Sequence, residues 1–291
     1  MTRILCVSLF LLAGAAWSAD VKEGVAAKNI STVKFQSESL GQPRAFNILL
    51  PMDYDSSTSR YPVLYLLHGY GDDNTAWSYM TNLSGTAAKH ELIIVMPDAS
   101  KSWYVNSATD PKARFEDYII KDLIPYMDSH YRTIPLPRAR AVAGLSMGGY
   151  GAAFLGLKHH RAFTAMGLFS GALAIAHDVP KENPHETEED RRFQQELAAV
   201  IGPVGSPERA ARDPLALLEK VPPAEMPMIY IACGGQDFLL SENHEFVRLL
   251  AEKKIPYEYR EVSPRVHSWD FWDDQIRIFL DMLDKRPGFA D

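Results

Sequence analysis

Short, nearly unbroken apolar runs recur along this chain, and stretches with helical spacing separate them. The runs 61–67, 92–96, 139–143, 163–169 and 228–233 carry few polar interruptions and read as strands buried on both faces. Earlier, 32–37 and 44–50 read as an antiparallel pair with its turn at Gly41-Gln42-Pro43, and 257–262 alternates like a further strand. Between them, 115–131 sets Ile119, Ile120, Leu123, Ile124 and Met127 on one helical face. Residues 150–157 read as another helix, and 269–283 closes the chain as an amphipathic one. Strands alternating with helices predict an α/β class fold, a mostly parallel, doubly wound sheet with helices on both faces. Chemistry in such sheets gathers at the carboxyl ends of the strands. His68-Gly69, Ser146, Asp237 and His267 all fall just past predicted strand ends.

Two segments break the pattern. Residues 1–19 begin with Arg3, continue through the apolar stretch 4–16 and end on Ala16-Trp17-Ser18-Ala19, with Ala13-Gly14-Ala15 a second small-residue site. This is the layout of a cleaved secretory signal peptide. An uncleaved anchor is the competing reading, and the shortness of the run opposes it. Secreted or periplasmic localisation follows as the expectation, with 20–291 as a single domain. The second segment, 176–225, is long, charged and rich in proline. Within it, 181–190 looks like a solvated loop and 191–201 like a short helix. Such an excursion between core strands serves as a lid or substrate wall, or else is a surface insertion without a role.

Composition narrows the function classes. Net charge is −7, and −8 after loss of Arg3, with no basic patch of the kind nucleic acid requires. No second run is long enough for stable membrane insertion. The roughly 270 residues left after cleavage suit one α/β domain with a large core. Cys6 would leave with the signal peptide, so Cys233 has no disulfide partner. It reads as a small buried residue at a strand end rather than as a nucleophile.

The sharpest chemical signal is Gly144-Leu145-Ser146-Met147-Gly148-Gly149, between a strand and a helix. Strand, G-x-S-x-G, helix is the nucleophile elbow, whose tight turn exposes a serine at the top of the sheet. A serine hydroxyl needs a base, and the base needs an acid, in chain order serine, acid, histidine. His159 and His160 fall at the far end of the elbow helix, His177 and His185 in the insertion, and His244 early in a helix. His267 alone follows the last strand and is the expected base. Asp237, after Gly234-Gly235-Gln236, is preferred as the acid over Asp270, a candidate helix cap, and Asp213. The expected oxyanion donors are the N–H groups of Met147 and Tyr70, the latter in the loop His68-Gly69-Tyr70-Gly71. His68 itself reads as a support for that loop. Asp72-Asp73-Asn74 lacks the companions of a calcium loop and reads as a turn, so no metal and no cofactor is expected. Trp77, Trp103 and Tyr104 are either packing residues or the lining of an acyl or sugar pocket.

These motifs resemble the esterase D-like family of α/β hydrolases, which includes S-formylglutathione hydrolases, tributyrin esterases, feruloyl and acetylxylan esterases and mycolyltransferases. The resemblance rests on Leu66-Leu67-His68-Gly69-Tyr70-Gly71 with Trp77, on Ala143 through Ala152, and on Phe169-Ser170-Gly171. It extends to Cys233-Gly234-Gly235-Gln236-Asp237 and His267-Ser268-Trp269-Asp270-Phe271-Trp272. It implies the α/β-hydrolase fold, the triad Ser146, Asp237 and His267, and Tyr70 and Met147 as oxyanion donors. Two departures stand out: His159-His160 where the family often has His-Pro, and the insertion 176–225. The expected activity is a secreted serine carboxylesterase on short-chain or aromatic acyl esters, free or linked to carbohydrate, with acetyl and feruloyl groups as candidates. Acyl transfer to a sugar alcohol, and a non-catalytic carbohydrate-binding module on the same scaffold, are the alternatives.

Overall fold

The computed structural model describes residues 29–177 and 187–289. The segment 1–19 and most of the charged loop 181–190, including His185, lie outside the described residues.

Eight strands form one sheet: β1 (Ile30–Ser37), β2 (Gln42–Leu49), β3 (Val63–Leu67), β4 (Ile93–Pro97), β5 (Arg140–Leu145), β6 (Ala165–Phe169), β7 (Met228–Gly234) and β8 (Glu258–Val262). Their order is β1-β2-β4-β3-β5-β6-β7-β8. β1 and β2 run antiparallel, β2 also meets β4 antiparallel, and every pairing from β4 to β8 is parallel. The helices are α1 (Ala76–Met80), α2 (Leu83–Ala87), α3 (Phe115–Asp117), α4 (Ile124–His130), α5 (Met147–Lys158), α6 (Glu188–Ile201), α7 (Pro207–Ala210), α8 (Pro214–Leu218), α9 (Leu240–Glu252) and α10 (Trp269–Asp284).

Successive strand residues point to opposite faces, so a strand covered on both sides must be apolar throughout. Val63, Tyr65 and Leu67 join Tyr118, Tyr150 and Phe154 on one face. Leu64 and Leu66 join Trp77, Phe271, Ile276 and Phe279 on the other.

Three elements depart from the sequence reading. The first hairpin turns at Glu38–Gly41, where the Gly41 N–H donates to Glu38 O at 3.3 Å and Gly41 has φ +63°. Gln42 and Pro43 already belong to β2, whose pairing with β4 begins only at Phe46. A proline nitrogen ahead of that point forfeits no bond to β4.

The expected helix over 115–131 is broken in the middle by a π-helical turn at Tyr118–Leu123, where Ile124 N–H bonds to Ile119 O. Pro125 sits at the next position. It has no N–H to return to Lys121, and its ring would crowd that carbonyl, so the helix widens by one residue.

In the insertion, the short helix expected at 191–201 is present but starts three residues earlier, inside the stretch that reads as a loop, and two further helices follow it. These are α6, α7 and α8, and Leu197, Ile201, Leu215 and Leu218 are buried in the core. α6 opens on a capping box in which Thr187 and Asp190 satisfy each other's backbone N–H groups. That exchange lay hidden inside what reads as a charged loop.

Candidate active site

Ser146 lies between β5 and α5 with φ 52° and ψ −116°. No side-chain-bearing residue adopts this backbone conformation without strain. The fold holds it from both sides: its N–H donates to Phe169 O at 2.9 Å, and its carbonyl accepts from Tyr150 N at 3.0 Å and Ala172 N at 3.2 Å. Glycine is required around it by proximity. A Cβ on Gly148 would lie 2.5 Å from Leu67 O and 2.6 Å from His68 O. One on Gly144 would lie 2.4 Å from Gly148 O. These neighbours are backbone and cannot rotate away. Gly148→Ala is therefore expected to destabilise the protein by about 3 kcal/mol or more, a fall in Tm of roughly 10 °C. Thermal unfolding measures this, and a Tm within 2 °C of wild type would show that the elbow is looser than its contacts imply.

The loop after β3 faces the elbow. A Cβ on Gly69 would come within 2.7 Å of Leu145 Cδ1 and 3.8 Å of Ser146 Cβ. His68 supports this loop, as its position suggests. Its Nε2 accepts the Ala99 N–H at 3.0 Å, which leaves Nδ1 as the donor to Gly69 O at 2.8 Å. Burial lowers its pKa and keeps it neutral, consistent with that tautomer. Tyr104 donates its hydroxyl to His68 O at 3.0 Å, and Trp77 its indole N–H to Leu67 O at 2.9 Å. Trp77, Trp103 and Tyr104 are all buried, so packing and loop support, not pocket lining, is their place in the structure. Asp73 closes a turn onto the Thr75 N–H and hydroxyl, and the buried Asn74 donates to Asn47 Oδ1. This is a turn's hydrogen bonding. Met147 begins α5, where backbone N–H groups have no acceptor inside the helix, and Tyr70 follows Gly69 directly beside it. Of the two expected oxyanion donors, Met147 thus follows the serine directly and Tyr70 follows the glycine that abuts it.

Asp237 and His267 come together from the turns after β7 and β8. Both Asp237 oxygens lie within hydrogen-bond reach of His267 Nδ1, at 3.1 and 2.9 Å, and Asp237 Oδ1 also accepts the Leu239 N–H at 2.9 Å. The carboxylate is fully buried, and the imidazole is 18% exposed. Gly234 and Gly235 serve a different purpose from the sharp turn that the sequence suggests. Neither has a positive φ. A Cβ on Gly234 would meet Arg265 O at 2.4 Å, and one on Gly235 would meet Ser263 Oγ at 2.0 Å. They let the histidine loop lie directly on the aspartate turn, where Gln236 N–H bonds Arg265 O at 2.9 Å.

His267 sits between two aromatic rings, Phe238 at 4.5 Å and Trp272 at 4.8 Å. The Trp272 indole donates to Ser170 Oγ at 3.1 Å, and Ser170 adjoins the Phe169 carbonyl that holds Ser146. Sequence reasoning gave neither ring a role. The signal was present in Trp272, one helical turn into α10 and five residues past His267. Among the described residues the Ser146 hydroxyl makes no hydrogen bond to His267. Such bonds commonly tighten only when substrate binds.

The rival side chains are engaged elsewhere. His159 pairs with Glu116, His160 with Glu225, His244 with Glu261 and His177 with Asp213. Asp213 also caps α8 through the Leu215 N–H. Asp270 is exposed and bound by Arg265. Cys233 is buried, and burial pushes its thiol pKa up, the opposite of what a nucleophilic thiolate needs.

The insertion reaches the site. From α6, Glu196 accepts the Tyr70 hydroxyl at 2.8 Å, and Phe193 meets the Tyr70 ring edge-to-face at 5.5 Å. Trp103 lies 6.1 Å from the Tyr70 ring.

The sequence model of the Esterase family, described as "Putative esterase", matches residues 37–280. An acetyl esterase of Caldicellulosiruptor saccharolyticus is 27% identical over 270 residues, covering 88% of this chain and 98% of that protein. A fluorophosphonate-binding serine hydrolase of Staphylococcus aureus superposes with a TM-score of 0.73 at 25% identity, covering 87% of this chain and 97% of that one. A ferulic acid esterase superposes with a TM-score of 0.73 at 26% identity, covering 87% and 96%. With the elbow, the loop beside it and the sheet order in place, the chain belongs to the esterase family and is a carboxylic ester hydrolase of the α/β-hydrolase fold.

Proposed function

We propose that the protein is an exported serine esterase that cleaves acetyl or aromatic acyl esters of carbohydrate through an acyl-enzyme. The observation that carries the mechanism is the buried Asp237 holding His267 Nδ1 at 2.9 Å, at the same edge of the sheet as a serine at φ 52°. With Nδ1 engaged, Nε2 is the ring atom left to serve Ser146. His267 takes the Ser146 proton as the oxygen attacks the ester carbonyl. The Met147 and Tyr70 N–H groups receive the oxyanion. The imidazolium then protonates the leaving alcohol. Water, deprotonated by His267, attacks the acyl-enzyme and releases the acid. The acetyl esterase and ferulic acid esterase relatives support the choice of acyl groups.

A panel of acetyl, butyryl, octanoyl and feruloyl esters tests the reading, with products analysed in the presence of added oligosaccharide. The expected result is free acetic or ferulic acid. Accumulation of a newly acylated sugar in place of free acid would assign transfer instead.

Export is supported by the Arg3 flank, the apolar stretch 4–16 and the small residues at 16–19. Expressed with its own N-terminus in a bacterial host, the protein is expected outside the cytoplasm, beginning at Ala19 or Asp20. N-terminal sequencing checks this, and a cytoplasmic protein retaining Met1 would refute it.

A further inference from the structure

The 98–114 segment leaves the carboxyl end of β4, the same edge of the sheet that carries Ser146. Together with α6 it encloses a groove of about 290 Å3, near the lower end of ligand-pocket sizes. The groove's floor is apolar: Val105 and Phe115 are buried there, and Ala199 and Val200 of α6 close one side. Its rim is polar, with Lys101, Thr109 and Asp110 exposed. Among the described residues neither Lys101 nor Asp110 makes an ion pair, although both line the same groove. The Lys101 ammonium lies against the Tyr70 ring and Asp110 Oδ1 accepts the Lys112 N–H, so this rim carries a donor and an acceptor that do not neutralise each other.

Lys101 links the groove to the loop beside Ser146. Lys101 Nζ lies 4.7 Å from the centre of the Tyr70 ring, and Tyr70 follows Gly69, which abuts Ser146. On α6, Phe193 touches Tyr70 and Val200 lines the groove, seven residues or about 10 Å further along the helix. A ligand reaching from one to the other covers about 10 Å, roughly the length of a disaccharide.

A pyranose or furanose ring matches this chemistry. Its C–H faces suit the Val105 and Phe115 floor, and its hydroxyls both donate and accept, as an exposed carboxylate and an exposed ammonium demand. We propose that this groove is a subsite for the oligosaccharide chain that bears the ester, with the insertion as one of its walls. The proposal rests on the carbohydrate-ester reading above, but its test does not depend on turnover.

Protein carrying Ser146→Ala is titrated with xylobiose and, separately, cellobiose, and binding is followed by backbone amide NMR shifts. The expected result is saturable shifts at Lys101, Thr109 and Asp110. Asp110→Ala and the groove-filling Thr109→Trp, each made in the Ser146→Ala protein, are expected to weaken binding about tenfold or more, the loss of a charged hydrogen bond. Both positions are exposed, and unchanged Tm confirms that the fold is intact. If Asp110→Ala lowers Tm, Asp110→Asn replaces it. No saturation with either sugar, shifts mapping away from the groove, or equal binding by the variants overturns the subsite. An active esterase that binds neither sugar overturns the subsite alone, and sugar binding by a protein without esterase activity overturns the catalytic reading alone.

Discussion

Ser146→Ala is expected to lower kcat on p-nitrophenyl acetate by about 10^6-fold, the cost of removing the nucleophile when base and acid can no longer act through it. A residual rate above water remains, because the Met147 and Tyr70 N–H groups still receive the developing oxyanion. The variant should also lose covalent labelling by a fluorophosphonate probe. Stability should barely move: the hydroxyl makes no hydrogen bond among the described residues, and the strained backbone is held by Phe169, Tyr150 and Ala172 main-chain atoms that the substitution leaves in place. A Tm within about 2 °C of wild type is expected. Labelling or turnover that survives the substitution would place the nucleophile elsewhere.

The sequence made the candidate site legible because every member lies just past a strand end, and most of those strands are continuous apolar runs. Ser146, Asp237 and His267 follow β5, β7 and β8, and parallel strands bring those ends to one edge. The expected order, serine then acid then base, is met by residues far apart in sequence whose neighbourhood the sheet alone creates. The place of Asp237 after Gly234-Gly235-Gln236 already favours it over Asp213 and Asp270, and the structure adds contacts that no spacing carries. Asp213 is spent on His177 and on a helix cap, and Asp270 on Arg265.

Where the reading fell short, the reasons are local and physical. α5 is buried from Met147 to Leu157, so it carries no polar face and its start could not be read from periodicity. The π-turn at Tyr118–Leu123 is written only in Pro125, inside an otherwise regular apolar pattern. Gly234 and Gly235 suggest a sharp turn, yet they are needed because the Arg265 backbone and the Ser263 side chain of the histidine loop occupy the space of their missing side chains. Residues 181–190 read as a solvated loop because charge dominates that stretch, yet α6 already begins at Glu188. Its apolar positions, Phe193, Leu197 and Val200, are spaced for one face of α6, and that face meets Tyr70 and the core.

Asp237→Asn is expected to cost about 10^4-fold in kcat at neutral pH while the fold is retained, the scale set by removing the charge of a triad acid without changing its shape. Asp237 Oδ1 accepts the Leu239 N–H at 2.9 Å, so the amide oxygen of an asparagine must occupy that position. The amide NH2 then takes the place of Oδ2, 2.9 Å from His267 Nδ1. Two donors cannot face each other, so Nδ1 gives up its proton and Nε2 carries it. A protonated Nε2 cannot accept the Ser146 proton, and the imidazolium that forms in the transition state has lost its counter-charge in a fully buried site. Fluorophosphonate labelling should slow as well, since it needs the same proton transfer. Asp270→Asn, at an exposed carboxylate tied to Arg265, should leave kcat within about twofold. Measuring kcat for both variants decides the assignment: loss of activity in the Asp270 variant with activity kept in the Asp237 variant would move the acid to the start of α10 and leave the Asp237–His267 contact a structural one.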